Sequence, residues 1–313
     1  MVHPARFILA MFVVPVLAAG AQTAQPAPWP TDEWLKKPVD DKTFETYRGF
    51  FTYDRKVPFD VRVLDTTVAD GLVNEHLSFQ STLGVRVFAR QFEPLDLRGK
   101  RSPAIILLHG RGGEGKDNAG MTEFAKYFAK AGYRVLSIDL PYFGERKTGL
   151  VTSFTSDEIT SHLYNQQGTY LSFVEQVVRD VGRSYDLLTT ERHADPARVA
   201  LMGASRGAIL ASIAGAIDRR LAGVALIMPG HMVKEETGHL AAACNANYIG
   251  HIAPRPLFVM SATRDVMFPP EQVMALHRLI REPKEITWVD SGHAFPVVEN
   301  RTPIVKWLQR ALR

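Results

Sequence analysis

An apolar run, Arg198 to Met202, breaks into Gly203-Ala204-Ser205-Arg206-Gly207 and then into a small-residue segment, Ala208 to Ala216. The first part reads as a buried strand and the last as a helix, so the five central residues must reverse the chain in one tight bend. Glycine on either side lets backbone pack closely where a Cβ would collide. A serine on such a strand–turn–helix projects its hydroxyl and stands beside the first amide of the helix, as an activated nucleophile does. The other reading is a glycine-bracketed turn serine without chemistry, and the five residues alone do not separate the two.

The partners such a serine needs follow in the chain, acid first and histidine last. Pro256 to Met260 reads as a strand and leads through Ser261-Ala262-Thr263-Arg264 to Asp265; Glu285 to Val289 reads as another and leads through Asp290-Ser291-Gly292 to His293. Both residues lie just beyond a strand, at the edge where open α/β sheets place their ligands. The expected roles follow from the chemistry: Ser205 Oγ attacks a carbonyl carbon, His293 takes and returns the proton, and Asp265 holds the imidazole in its productive tautomer. Asp290 is the competing acid, although three residues from His293 suits a turn better than an orienting carboxylate. Upstream, the apolar run Ala104 to Leu108 reads as a strand buried on both faces and breaks into His109-Gly110-Arg111-Gly112-Gly113. The amides of Arg111 and Arg206 are the expected oxyanion donors, with Gly112 as the substitute for the first. No Gly-Lys-Ser/Thr follows, so the glycines do not indicate a nucleotide cradle. His109 reads as a brace for the loop, and Asp139 as a structural turn residue.

Leu108-His109-Gly110-Arg111-Gly112-Gly113, Asp139-Leu140-Pro141-Tyr142-Phe143-Gly144, the Ser205 pentapeptide, Arg264-Asp265 and Gly292-His293 together resemble an α/β-hydrolase. The similarity is greatest to the dienelactone hydrolase and acetyl xylan esterase-like branch, which Ile252-Ala253-Pro254-Arg255-Pro256 also resembles, and it covers residues 75–313. The resemblance implies a mostly parallel central sheet flanked by helices on both faces, and a serine hydrolase acting on esters. Dienelactone hydrolases proper resemble this pattern with cysteine as nucleophile; Ser205 favours ordinary carboxylic esters.

The remaining chain fits that frame. Glu75 to Phe79 and Val85 to Phe92 suggest an antiparallel hairpin on the N-terminal side of the sheet. Asn118 can cap a helix carrying Met121, Phe124, Ala125, Phe128 and Ala129 on one face, and Tyr133 to Ile138 reads as the next strand. Tyr170, Phe173, Val174, Val177, Val178 and Val181 form a second helical stripe, and Thr302-Pro303 is expected to open a final helix. Residues 1–21, with Arg6, the apolar run Phe7 to Leu17 and Ala18-Ala19-Gly20-Ala21, read as a cleaved signal peptide. The run is too short to span ~30 Å of hydrocarbon, so a periplasmic or secreted protein without a stable membrane anchor is expected. Residues 22–58 read as an irregular arm pinned by Trp29 and Trp34, and 59–313 as the catalytic domain.

A net charge of +4 with scattered basic residues gives no reason to expect a nucleic-acid partner. Cys244, the one cysteine, reads as a packed small residue and permits no intrachain disulfide. His231, His239 and His251 match no zinc spacing, and neither metal nor cofactor is expected, since nucleophile and oxyanion donors are protein groups. Tyr142 to Asn165 and His231 to Tyr248 are the loops expected to shape the pocket, with Tyr142, Phe143 and Met232 as walls. The resulting reading is an exported serine carboxylesterase for a small-molecule or carbohydrate ester. A serine peptidase, a dienelactone-type hydrolase and a non-catalytic ligand-binding module are the alternatives. Nothing in the residues sets an oligomeric state.

Overall fold

The computed structural model describes residues 33–313 except 83, 149–152, 156–157, 159–161, 164–165, 232–239 and 295. The expected signal segment, Trp29, Met232 and His239 lie outside the described residues. In chain order the strands are β1 (Arg62–Ala69), β2 (Leu72–Gln80), β3 (Arg86–Pro94), β4 (Ser102–Leu108), β5 (Arg134–Ile138), β6 (Ala194–Ala204), β7 (Gly223–Ile227), β8 (Leu257–Ala262) and β9 (Lys284–Val289). The helices are α1 (Glu33–Lys36), α2 (Asp41–Arg48), α3 (Ala119–Lys130), α4 (Gln167–Thr190), α5 (Arg206–Ile217), α6 (Pro270–His277) and α7 (Val298–Ala311), with short 3-10 turns between them.

The strands form one sheet in the order β1-β2-β3-β5-β4-β6-β7-β8-β9. From β5 to β9 every pairing is parallel; β1, β2 and β3 are antiparallel. The central strands are apolar on both faces because both faces are covered. In β4, Ile106 and Leu108 pack under α4 and α5, together with Val177 and Ala211. Their neighbours Ile105 and Leu107 face the other way, toward Phe124 of α3 and Trp307 of α7. The period of two sets which residue joins which layer.

The hairpin expected between residues 75 and 92 is β2–β3, with Gln80 opposite Arg86. Asn118 caps α3 by accepting the Met121 N–H at 3.3 Å, and all five residues of the expected stripe are buried. Other parts of the structure differ from the sequence reading. The described part of the arm is not irregular: α2 is capped by Asp40, whose carboxylate accepts the Thr43 N–H at 2.8 Å, and Phe44 and Phe51 are buried in the core. Trp34 packs against that core. Farther along the arm, Tyr53 donates its hydroxyl to Asp186 of α4 at 2.9 Å. The last helix begins at Val298, leaving Pro303 inside it; one missing amide bond near a helix start is tolerated where the following turns bury Ile304, Trp307 and Leu308. Strand β1 is exposed along its whole length and so lacks the alternation that marks a strand in a sequence. Its signal was the Asp70-Gly71 turn, both residues at positive φ, which closes a tight hairpin onto β2. No described helix is long and apolar enough to cross a membrane.

Candidate active site

Ser205 is the single residue between β6 and α5, with φ 53° and ψ −118°. Few L-residues adopt that backbone, and they persist where surrounding structure over-determines it. Here the Ser205 N–H donates to the carbonyl of Ile227 at 2.8 Å, and its own carbonyl accepts from Ala208 N at 2.9 Å and Ile209 N at 3.2 Å. The bracketing glycines are required by contact: a Cβ on Gly203 would run into the carbonyl of Gly207, and one on Gly207 into the carbonyls of Leu108 and His109.

Asp265 and His293 converge on this bend from the loops after β8 and β9. His293 Nε2 lies 2.7 Å from Ser205 Oγ, and its Nδ1 lies 2.7 Å from Asp265 Oδ2. The other carboxylate oxygen of Asp265 accepts the N–H groups of Met267 at 2.8 Å and Phe268 at 2.9 Å. Burial alone would push this carboxyl upward. The hydrogen bond from His293 and the two amides outweigh burial and hold it below the usual carboxylate value. An ionised Asp265 accepts a hydrogen bond from Nδ1–H, which leaves Nε2 to accept from the serine hydroxyl. The Phe268 ring stands edge-on to the His293 ring at 5.3 Å, and Gly230 gives Phe268 its room. Asp290 points elsewhere: it is exposed and takes Arg264 Nε at 2.9 Å and Thr263 Oγ1 at 3.2 Å.

Gly110, Arg111 and Gly112 face Ser205 across the pocket, and a Cβ on Gly110 would sit 3.2 Å from the Ser205 Cβ. Arg206 opens α5, where the helix dipole favours negative charge. The three candidate oxyanion residues are thus gathered around the serine. Their loop is held from behind. His109 donates Nδ1–H to the Gly110 carbonyl at 2.8 Å and accepts the Leu140 N–H on Nε2 at 3.0 Å; burial pushes its pKa down to about 4, so the ring stays neutral. Asp139, fully buried, accepts the Lys116 N–H at 2.8 Å, the Glu145 N–H at 3.0 Å and Lys116 Nζ at 3.1 Å. Burial would push the Lys116 ammonium down, but Asp139, Asp117 and Glu145 outweigh it and hold the group above its ordinary value. Gly115 and Gly144, both at positive φ, are the positions where a Cβ would meet the Asp139 carboxylate. Sequence reading placed Asp139 in a turn but missed this cluster; the two glycines flanking Lys116 and Tyr142-Phe143 were its trace.

A pocket of ≈ 450 Å³ opens over Ser205 and His293. Its apolar walls are Ala204, Ile227, Met228, Met267 and Ala294. Tyr142 and Phe143 do not line it. Phe143 is fully buried, with its ring 5.8 Å from that of His109 and 4.7 Å from the Arg206 guanidinium. Tyr142, turned by a φ of 69°, stacks toward Phe173 at 6.4 Å and lines a separate cavity with Arg146 and Gln176. The true walls went unread, although each lies within two residues of an expected catalytic residue or of a strand end. His231 bonds Asn245 through Nδ1 at 3.0 Å, and His251 stacks on Phe44 at 3.7 Å. Among the described residues no three His, Cys, Asp or Glu side chains are grouped to hold a metal. Cys244 is buried and takes part in no disulfide.

No curated protein matches the chain. Among solved structures, acetyl xylan esterase 1 from a Thermoanaerobacterium species matches with TM-score 0.66 at 17% identity, covering 91% of this chain and 99% of that one. An acetyl xylan esterase from a Paenibacillus species gives 0.63 at 14%, covering 90% and 99%. A cold-adapted esterase from an Arctic intertidal metagenomic library gives 0.60 at 17%, covering 84% and 100%. Identities this low speak for the fold. A family profile described as "Serine aminopeptidase, S33" matches residues 99–313, a span that holds the glycine loop, the serine bend, the acid and the histidine. The chain therefore belongs to this serine aminopeptidase S33 family of α/β-hydrolases.

Proposed function

We propose that this α/β-hydrolase is an exported serine carboxylesterase that cleaves small-molecule or carbohydrate esters, with residues 59–313 as its catalytic domain. The observation that carries the reading is the unbroken line of hydrogen bonds from Ser205 Oγ through His293 to Asp265, at the floor of an open pocket. His293 Nε2 takes the serine proton as Oγ bonds to the ester carbonyl carbon. The carbonyl oxygen becomes an oxyanion, received by the Arg206 N–H and by the N–H of Arg111 or Gly112. His293 then protonates the departing alcohol, and the same imidazole draws a proton from water to release the acid from Ser205. Asp265 stays ionised throughout and keeps the ring oriented. Export rests on the signal-like residues 1–21.

The family's name favours one second reading, a peptidase acting on a free amino terminus. Such an enzyme needs an anion near the nucleophile to receive the ammonium. Among the described residues lining the pocket the charged side chain is Arg111, with no carboxylate, and this supports the esterase. The test is hydrolysis of p-nitrophenyl acetate by the purified protein beside an aminoacyl p-nitroanilide. The ester should turn over, and Ser205→Ala should reduce kcat by ~10⁴-fold or more. Cleavage of the anilide alone would favour the peptidase; a fully active alanine variant would remove Ser205 from the mechanism, and an inert wild type would favour a ligand-binding module.

A further inference from the structure

The pocket is more apolar than ester hydrolysis alone requires. After acylation the acyl group hangs from Ser205 Oγ and must lie against whatever surrounds that residue. The neighbours are Ala204, directly before it; Ile227, whose carbonyl accepts the Ser205 N–H; and Met228, which directly follows the end of β7 and lines the cavity. These three are 4%, 1% and 3% exposed, so they are fixed walls. Met267 and Ala294 continue the apolar lining toward the mouth, and the acid-bearing loop also turns Val266 to solvent, 82% exposed.

Size points the same way. An apolar cavity of about 150 Å³ holds a benzene ring, and this pocket measures ≈ 450 Å³. An acetyl group would leave most of it to water. An ordered water needs about two to four polar partners, which the side chains of Ala204, Ile227 and Met228 do not supply. Filling the space with methylenes is the favourable alternative.

We infer that the acyl group this enzyme selects is an apolar chain of several carbons rather than acetyl, with Met228 limiting its depth and Met267 its exit. The inference rests on the carboxylesterase reading and narrows its substrate class on the acid side; the alcohol stays open to a sugar or a small molecule.

The experiment is kcat/KM across p-nitrophenyl acetate, butyrate, hexanoate, octanoate and dodecanoate, which share one leaving group and so isolate the acyl chain. Each buried methylene is worth up to about fourfold, so hexanoate should exceed acetate by about tenfold or more even in a half-open pocket. Met228→Trp should cut the hexanoate-to-acetate ratio by about tenfold, and Met267→Trp, at a 44% exposed position that tolerates bulk, should cut it by a smaller factor. Acetate as the best wild-type substrate overturns the inference while leaving the Ser205 mechanism standing. So does a ratio unmoved in both tryptophan variants. A wild type inert on every ester removes both readings together.

Discussion

On the Gly110–Gly112 side of the pocket, the rim is tied down by buried charge and ring packing: Lys116 against Asp139, His109 against Leu140, Phe143 under Arg206. On the opposite side, Asp265 holds its own loop by two backbone amides. Between that loop and the histidine loop run the Asp265–His293 hydrogen bond and the pairings of Arg264 and Thr263 with Asp290, a carboxylate 82% exposed. The contrast follows the chemistry. Oxyanion donors act best when aimed before charge develops, since reorienting them during the reaction would consume the stabilisation they offer. In the proposed mechanism the imidazole accepts a proton, delivers it and lets an alcohol leave, which a looser rim permits.

This comparison can be broken at several points. The largest effect is expected for Asp265→Asn, which keeps the shape but favours the wrong tautomer; kcat should fall by about 10⁴-fold, and a steady-state assay finding less than a tenfold loss would deny Asp265 the orienting role. Next is Lys116→Met on the rigid rim. It leaves Asp139 buried opposite an apolar group, and about 3–5 kcal/mol of stability should disappear, read as a lower urea midpoint. A loss below about 1 kcal/mol would erase the difference between the rims.

A pH test probes both rims at once. His109 backs the oxyanion loop, and His277 of α6 sits 3.2 Å from Ser261 Oγ; burial pushes each down to about 4. Unfolded histidine titrates near pH ~6.5, so the unfolded chain takes up protons first as pH falls. Stability should be full above that pH and decline toward pH 4, by on the order of 1–2 kcal/mol per histidine at pH 5. Urea midpoints that are flat from pH 7 to 5 would contradict this, and His277→Gln should soften the slope. The smallest effect is expected for Asp290→Ala: under about 1 kcal/mol in stability and little change in kcat. A collapse of activity there would make Asp290 the working acid.

The same contrast governs what could be read from the chain. Ser205, Asp265 and His293 were legible because each follows a strand, in an order one family of folds uses, and because the serine bend demands glycines. Strands β4, β5, β6 and β8 were legible because two covered faces make their central residues mostly apolar; β7, five residues long, went unread. Pocket walls were not. Position after a strand does not say which way a loop residue faces, so Tyr142 and Phe143 were assigned to a cavity from which a positive φ and a stacked guanidinium remove them. Met228 and Met267 are ordinary apolar residues until the fold turns them toward the serine. The Lys116–Asp139 pair was hidden because charges 23 residues apart in sequence carry no mutual pattern. The chain reads as strand-like from Phe59, but β1, exposed on both faces, offered no alternation to fix its bounds.

Gly207 meets the carbonyls of Leu108 and His109 without any side chain between them. Two separate segments are therefore geared main chain to main chain, and in the proposed mechanism the spacing between the serine oxygen and the oxyanion amides is written into peptide groups that mutation does not alter. Drift elsewhere in the gene can remodel which molecules enter while the reacting centre keeps its dimensions. Diversification of such a catalyst is channelled to the lining, where positions such as 228 and 267 border open space and a change of bulk meets solvent or substrate instead of backbone.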